Sequence, residues 1–224
     1  MYNLAKKIAI GTAQFGLDYG IANKNGKVNA KEIRSILDLA YQNNIDSLDT
    51  AKSYGSSEKL IGDYLSLSPN TWNVITKVSD KDKRLIDQLQ DSKSKLTVFP
   101  TIVLAHSSNL FLDPVFQVKL KEIRDKKLVN GIGVSIYDHK EINLILESNI
   151  KIDVVQIPMN ILDTRIYRKG ILSKLNDMGI EIHVRSVFLQ GLFFLPKIEL
   201  KKNFKDVIPY LEKLESISTT LDLT

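Results

Sequence analysis

Leu48 to Gly62 reads LDTAKSYGSSEKLIG. Its first residues continue a short strand, Ser47 to Asp49, and its second half predicts a helix from about Ser56 to Leu65. In that helix Ser56 or Ser57 can cap the amino end, and Leu60, Ile61 and Leu65 face inward. Asp49 and Tyr54 therefore sit on the strand-to-helix connection, where parallel barrels carry their functional side chains. Two later strand-like runs end in the same manner: VITK delivers Lys77, and IVLAH delivers His106. An acid, a phenol, an amine and an imidazole can thus meet at one rim. A phenol titrates near ~10 and is a poor acid at neutral pH, but a nearby ammonium lowers its pKa. Lys77 is accordingly expected to make Tyr54 a proton donor. Asp49 would hold Lys77 charged and oriented, while His106 would position an oxygen or relay the proton.

Each residue has a plainer reading when taken alone. Asp49 can be a turn residue, Tyr54 a packing aromatic and His106 a satisfied core histidine. Lys77 is harder to set aside, because a lysine after the apolar run VIT is costly to bury unless it is paired.

Outward from this stretch, short β-rich runs alternate with helical patterns, which predicts parallel strands joined by crossover helices. The expected strands are Ile8–Gly11, Ser47–Asp49, Asn73–Lys77, Thr101–Ala105, GIGVS at 131–135, VVQIP at 154–158 and IEIHVRSV at 180–187. Helices are expected over Ala30–Asn43, with Ile33, Ile36, Leu37 and Ala40 as the buried stripe, and from about Lys83 to Lys95. Others are expected from Pro114, suited to a first turn, to about Lys126, from Asp138 or His139 to Glu147, over Ile171–Met178 and over Lys205–Ser218. The stretch between QGLFF and the last helix reads as a lysine-rich loop.

The chain has 224 residues, 43% hydrophobic and 25% charged, which fits one globular domain, 1–224, and argues against a disordered chain. No apolar run approaches the ~20 residues of a membrane span, and MYNLAKKIAIGTAQFG has too short an apolar core for a secretory signal. A cytoplasmic location is the expectation. With no cysteine, disulfides and thiolate chemistry are excluded. The net charge of +5 is dispersed: KDKR at 81–84 and KK at 201–202 have acidic neighbours and no aromatic stacking platform, so nucleic acid is not an expected partner. There is no Gly-x-Gly-x-x-Gly after a strand and no phosphate-binding loop ending in Gly-Lys-Ser/Thr. His106, His139 and His183 lack the near spacing of a zinc site, and no metal is expected.

The quartet, in its order and spacing, together with GTAQFG at 11–16 and QGLF at 190–193, resembles the aldo-keto reductase family. The resemblance runs from Ile8 to about Leu195, and LDTAKSYGSSEKLIG is its most specific part. It implies a TIM (β/α)8-type barrel that uses NADPH, with NADH not excluded, to reduce a small-molecule carbonyl. It implies Tyr54 as proton donor supported by Asp49, Lys77 and His106. By the same resemblance, small residues at Gly11, Thr12 and Ala13 would let backbone approach the nicotinamide ribose. Ser135 and Gln156 would hydrogen-bond the carboxamide. Ile136 stands where an asparagine often follows that serine. Gln156 lies inside an apolar run, where an unpaired amide is costly, which favours a partner for it. Arg185 occupies the place of a tyrosine that stacks on the nicotinamide, and a guanidinium can also stack on a flat ring. Ser186, Phe188, Gln190 and Gly191 would flank the pyrophosphate through backbone amides; QGLFF can equally be a hydrophobic loop packed on the last helix.

Seven strands are one fewer than a closed barrel holds, and TTLDLT ends where an eighth unit would begin. The sequence therefore reads as a barrel truncated to about seven βα units, without the segment that in the family binds the adenosine 2′-phosphate. Two strands would keep unpaired edges. This supports a rival reading, a catalytically impaired binding module that self-associates through those edges as a homo-oligomer. A lyase or isomerase on the same fold would make the four-residue match an accident.

Overall fold

The computed structural model describes residues 4–148 and 150–222. Seven strands form one parallel sheet: β1 (Ala9–Gly11), β2 (Ser47–Asp49), β3 (Asn73–Val78), β4 (Ile102–Ala105), β5 (Gly131–Ser135), β6 (Val154–Pro158) and β7 (Glu181–Arg185). Each pairs with its neighbours in sequence, in the order β1 to β7, and the sheet curls into an open barrel with helices outside. The nearly continuous apolar runs of β3 to β6 are explained by their burial on both faces. The flanking strands β1 and β7 are partly exposed.

Side-chain alternation sorts each strand into a lumen face and a helix face. On β3, Val74 and Val78 pack outward into the helix layer, whereas Ile75 and Lys77 share the other face. Ile75 joins Leu104 and Val154 in a small apolar cluster, a floor on which the polar residues of the strand ends rest. The main core lies between sheet and helices, around Phe111, Phe116, Leu120, Ile123, Val103 and Val134. A second one gathers Phe15, Ile33, Leu37, Leu48, Ile61 and Trp72. The periodic stripe of the helix Ala30–Gln42 supplies Ile33, Leu37 and Ala40 to that core, and Asn29 caps it by accepting from the Glu32 amide.

The structure departs from expectation in a few places. The lysine-rich stretch after QGLFF is a helix, Lys197–Asn203, and not a loop. Its single buried residue, Leu200, packs with Leu192 and Leu195 in a fourth cluster that also takes in Ala22, Phe204 and Leu211. One inward position is enough to anchor two turns but too few to show a period. Short helices at Ala13–Gly16, Ser108–Leu112 and Arg165–Arg168 were also not foreseen. The helix Ser57–Leu65 has no side-chain cap; the Ser57 hydroxyl is buried and spent elsewhere, as described below. No described helix is long and apolar enough to cross a membrane.

The fourth cluster also links the two flanks of the open barrel. The Ala22 amide donates to the Gln190 carbonyl at 3.3 Å, Lys24 pairs with Glu199, and Gly191, at φ +88°, passes so close to Ala22 that a Cβ there would lie 2.6 Å from its methyl. Loops thus bridge the space between β1 and β7 that no strand pairing spans among the described residues.

Close backbone approach fixes the Tyr54 turn. A Cβ on Gly16 would sit 1.7 Å from the Tyr54 carbonyl oxygen, and one on Gly55, at φ +55°, would sit 2.5 Å from the Gly16 carbonyl. Gly16→Ala must therefore push the short helix away from the turn, an overpacking change expected to destabilise by about 1–3 kcal/mol. Urea unfolding measures this, and a midpoint equal to the parent's would show that the turn yields freely.

Candidate active site

Asp49, Tyr54, Lys77 and His106 converge at the carboxyl ends of β2, β3 and β4. Lys77 is the centre of the group. Its side chain is 1% exposed, and its ammonium donates to both Asp49 carboxylate oxygens at 2.8 Å and to the Thr50 carbonyl at 2.9 Å. The Tyr54 hydroxyl lies 3.5 Å from Lys77 Nζ, which also stands 5.0 Å from the centre of the phenol ring. The His106 ring meets that phenol edge-on, with centroids 6.1 Å apart. A buried ammonium needs a counter-charge and further acceptors, and Asp49 with Thr50 provides both.

The electrostatics differ from the sequence expectation in one respect. The Tyr54 pKa is not lowered but pushed up to about 12, first by burial and then by the Asp49 carboxylate; the opposing influence comes from Arg185. Burial also lowers the pKa of Lys77 against the raising effect of Asp49. The His106 imidazole is lowered by burial and then by Lys77, so it is neutral at pH 7. Its Nδ1 lies 3.3 Å from the Ser53 hydroxyl, a contact that fixes which nitrogen faces the mouth.

Because the folded pKa of His106 is depressed, its neutral form adds stability above the unfolded value of about 6.5, and this is lost as pH falls through the lower folded value. An NMR titration of the His106 ring should show a midpoint below that of a free histidine. A midpoint at or above it would contradict the buried, cation-flanked environment.

Gln156 of β6 joins the quartet. Its Nε2 donates to Asp49 Oδ1 at 2.9 Å, and its Oε1 accepts from Ser135 Oγ at 3.2 Å. The amide in the apolar run is thus satisfied within the protein, and it orients the same carboxylate that holds Lys77. Ile136 is wholly buried, and its carbonyl accepts from the Arg185 guanidinium at 2.8 Å. Arg185 also reaches the Ser186 hydroxyl at 3.3 Å and stacks on Tyr137, 4.4 Å from the ring centre. Ser186, Leu189, Gln190 and Gly191 all have positive φ, so the backbone after β7 turns sharply around the mouth, where Phe188 is exposed and pairs with Phe194.

At the end of β1, Gly11 leaves open space where a side chain would stand, and Ala13 begins the short helix. Thr12 is wholly buried. Its hydroxyl donates to the Asp49 carbonyl at 2.9 Å, while Ser57 Oγ lies 3.0 Å from the Thr12 carbonyl and 3.0 Å from Thr50 Oγ1. Behind them Thr76 donates to Glu58, a carboxylate only 2% exposed, at 2.8 Å. This hydroxyl and carboxylate network braces the strand ends from the helix side. Sequence reading missed its members Thr50, Ser57, Glu58 and Thr76 as site supports, as it missed Ser53 and Tyr137. The available signal was the density of Ser, Thr and Glu directly after strand ends that are otherwise apolar.

The sequence matches the aldo/keto reductase family over residues 7–220, and the chain belongs to that family. Comparison with curated proteins gives no match. Among solved structures the chain is similar to the glycerol dehydrogenase of Gluconobacter oxydans, with TM-score 0.75 and 20% identity over 97% of this chain and 76% of that one. It is similar to a thermostable aldo-keto reductase in complex with the inhibitor epalrestat, with TM-score 0.71 and 21% identity over 97% and 77% of the two chains. The holo form of an aldo-keto reductase from Bacillus halodurans gives TM-score 0.66 and 20% identity, over 84% of this chain and 64% of that one. Likeness at this identity concerns the fold.

Proposed function

We propose that the protein reduces an aldehyde or ketone, with Tyr54 giving the proton and NADPH, or alternatively NADH, giving the hydride. The observation that carries this reading is the Lys77 ammonium set between the Asp49 carboxylate and the Tyr54 hydroxyl, with the His106 ring against the same phenol. A bound nicotinamide dinucleotide would supply the hydride; the chain's residues bind, orient and protonate.

The residues at the mouth fit such a group. Gln156 and Ser135 use only part of their hydrogen-bonding capacity on each other and on Asp49, so the Gln156 amide keeps a donor and an acceptor site for a carboxamide. The open space at Gly11 permits close backbone approach, and the turned backbone of Ser186 to Gly191 can present amides to a pyrophosphate. The Arg185–Tyr137 stack offers a flat surface beside them.

In the proposed reaction the substrate carbonyl oxygen lies between Tyr54 and His106. Neutral His106 can donate one hydrogen bond to that oxygen and fix its direction. As the oxygen gains charge, Tyr54 transfers its proton, and the nearby Lys77 ammonium stabilises the phenolate left behind. Fluorescence titration with NADPH and NADH, followed by cofactor oxidation with a panel of aldehydes and ketones, tests the proposal. Saturable binding with turnover supports it; neither nucleotide binding at millimolar concentration would end it.

A second reading has its own observation. Among the described residues β1 and β7 each keep one edge unpaired, and Val184 and Val187 near the β7 edge are 39% and 45% exposed. A catalytically impaired module could use these edges for self-association. Light scattering after size exclusion separates the two, since a monomer of 25.3 kDa at high concentration counts against edge-mediated assembly.

A further inference from the structure

Arg185 differs from the other cations beside the quartet. Lys77 is closed by Asp49, Lys52 by Asp91, and His106 has its pKa lowered. Arg185 makes only neutral contacts: the Ile136 carbonyl, the Ser186 hydroxyl and the face of Tyr137. Among the described residues it takes part in no ion pair, and its Nε is a buried donor with no acceptor. Its fork of donors has the geometry that matches a carboxylate or phosphate. The Ile136 carbonyl and the Tyr137 ring hold it in one orientation, so it is preorganised rather than free to swing into solvent.

Its charge also reaches the catalytic groups. It adds a small lowering influence on Lys77 and His106 and partly opposes the rise that burial gives Tyr54 and Tyr19, the latter a phenol on the loop that follows β1. Arg185 pairs in register with Pro158, two residues beyond Gln156, so it stands on the same face of the sheet as the amide that orients Asp49, one layer nearer the mouth.

We propose that Arg185 is a specificity residue that selects carbonyl substrates bearing an anionic group, a carboxylate foremost. This rests on the carbonyl-reductase reading of the site and names its substrate class. Phosphate on a bound dinucleotide offers the same chemistry, and the test must tell the two sources apart.

The experiment compares equilibrium binding of 4-carboxybenzaldehyde and neutral 4-methylbenzaldehyde, and separately of NADPH, to the parent, Arg185→Gln and Arg185→Lys. Glutamine keeps a donor for the Ile136 carbonyl while removing the charge, and lysine keeps the charge. Thermal unfolding checks that each variant folds. The parent is expected to bind the carboxylate about tenfold tighter or more, Arg185→Gln to bring the ratio close to one, and Arg185→Lys to retain part of the preference. Equal affinity in the parent, or a preference that survives Arg185→Gln, overturns the proposal. So does a loss of NADPH affinity in Arg185→Gln with the aldehyde ratio unchanged, which would give the charge to the cofactor. Preferential binding of the carboxylate without NADPH oxidation would remove the proposed reaction and, with it, the substrate class named here, a failure distinct from equal affinity with turnover.

Discussion

Tyr54→Phe is expected to lower kcat for carbonyl reduction by about 10²–10⁴, the range lost with a positioned general acid, while NADPH affinity stays near the parent's. The pKa of about 12 makes the phenol fully protonated at neutral pH, so every molecule carries the proton to be given. It remains acidic enough, because the alkoxide formed by hydride addition is comparable in basicity to hydroxide, whose conjugate acid, water, has a pKa of about 15.7. Proton transfer from Tyr54 to such an oxygen would therefore be downhill. Phenylalanine keeps the ring contact with His106 and removes the hydroxyl, and with it the proton and the 3.5 Å contact to Lys77. An unchanged kcat would mean that water or His106 protonates the oxygen, and the role assigned to Tyr54 would be wrong.

The largest stability effect is expected at Asp49. Lys77 is 1% exposed and depends on that carboxylate, so Asp49→Ala leaves a buried ammonium without its counter-charge, which typically costs about 3–5 kcal/mol. The pH dependence follows from the Lys77 pKa, already lowered by burial and held up chiefly by Asp49. Without Asp49 the folded state binds the Lys77 proton more weakly still than the unfolded chain does, so stability rises with pH as the unfolded lysine nears its own pKa of about 10.4. Urea unfolding at pH 7 and about pH 9 should show a large loss at the first and a smaller one at the second. A loss under about 1 kcal/mol at pH 7 would place the pair in the weak surface class instead.

The strands were the most legible part of the chain. β2, β5 and β6 occupy the expected residues; for β5 and β6 the reason is a short apolar run bounded by Asn130 and Gly131 in the one and by Pro158 in the other. The lysine-rich helix Lys197–Asn203 was not legible, since only Leu200 turns inward and the remaining positions look like loop composition. At the site, the convergence of the four side chains could be read from strand ends. The direction of the Tyr54 shift could not, because it follows first from the burial of the phenol and then from the Asp49 carboxylate beside it, both properties of the assembled site. Gln156 could be recognised as an amide needing a partner, but that partner, Asp49, lies 107 residues earlier and no local pattern names it. Arg185 stood out only as an unusual residue at its position; that it lacks an anion is a property of the assembled mouth.

The strictly sequential strand order bears on how the molecule is built. Every strand pairs with the one before it, so most contacts are between elements close in the chain, which lowers the entropy to be overcome before each new pairing. The sheet can grow by accretion, one βα unit at a time, as the chain emerges from the ribosome. The Asp49–Lys77 pair is then in place after three strands, but the Gln156 hydrogen bond that orients Asp49 arrives only with the sixth. Between those stages a nascent intermediate carries a charged pair at its open rim without its final support, and that interval is where a slow or chaperone-dependent step is to be sought.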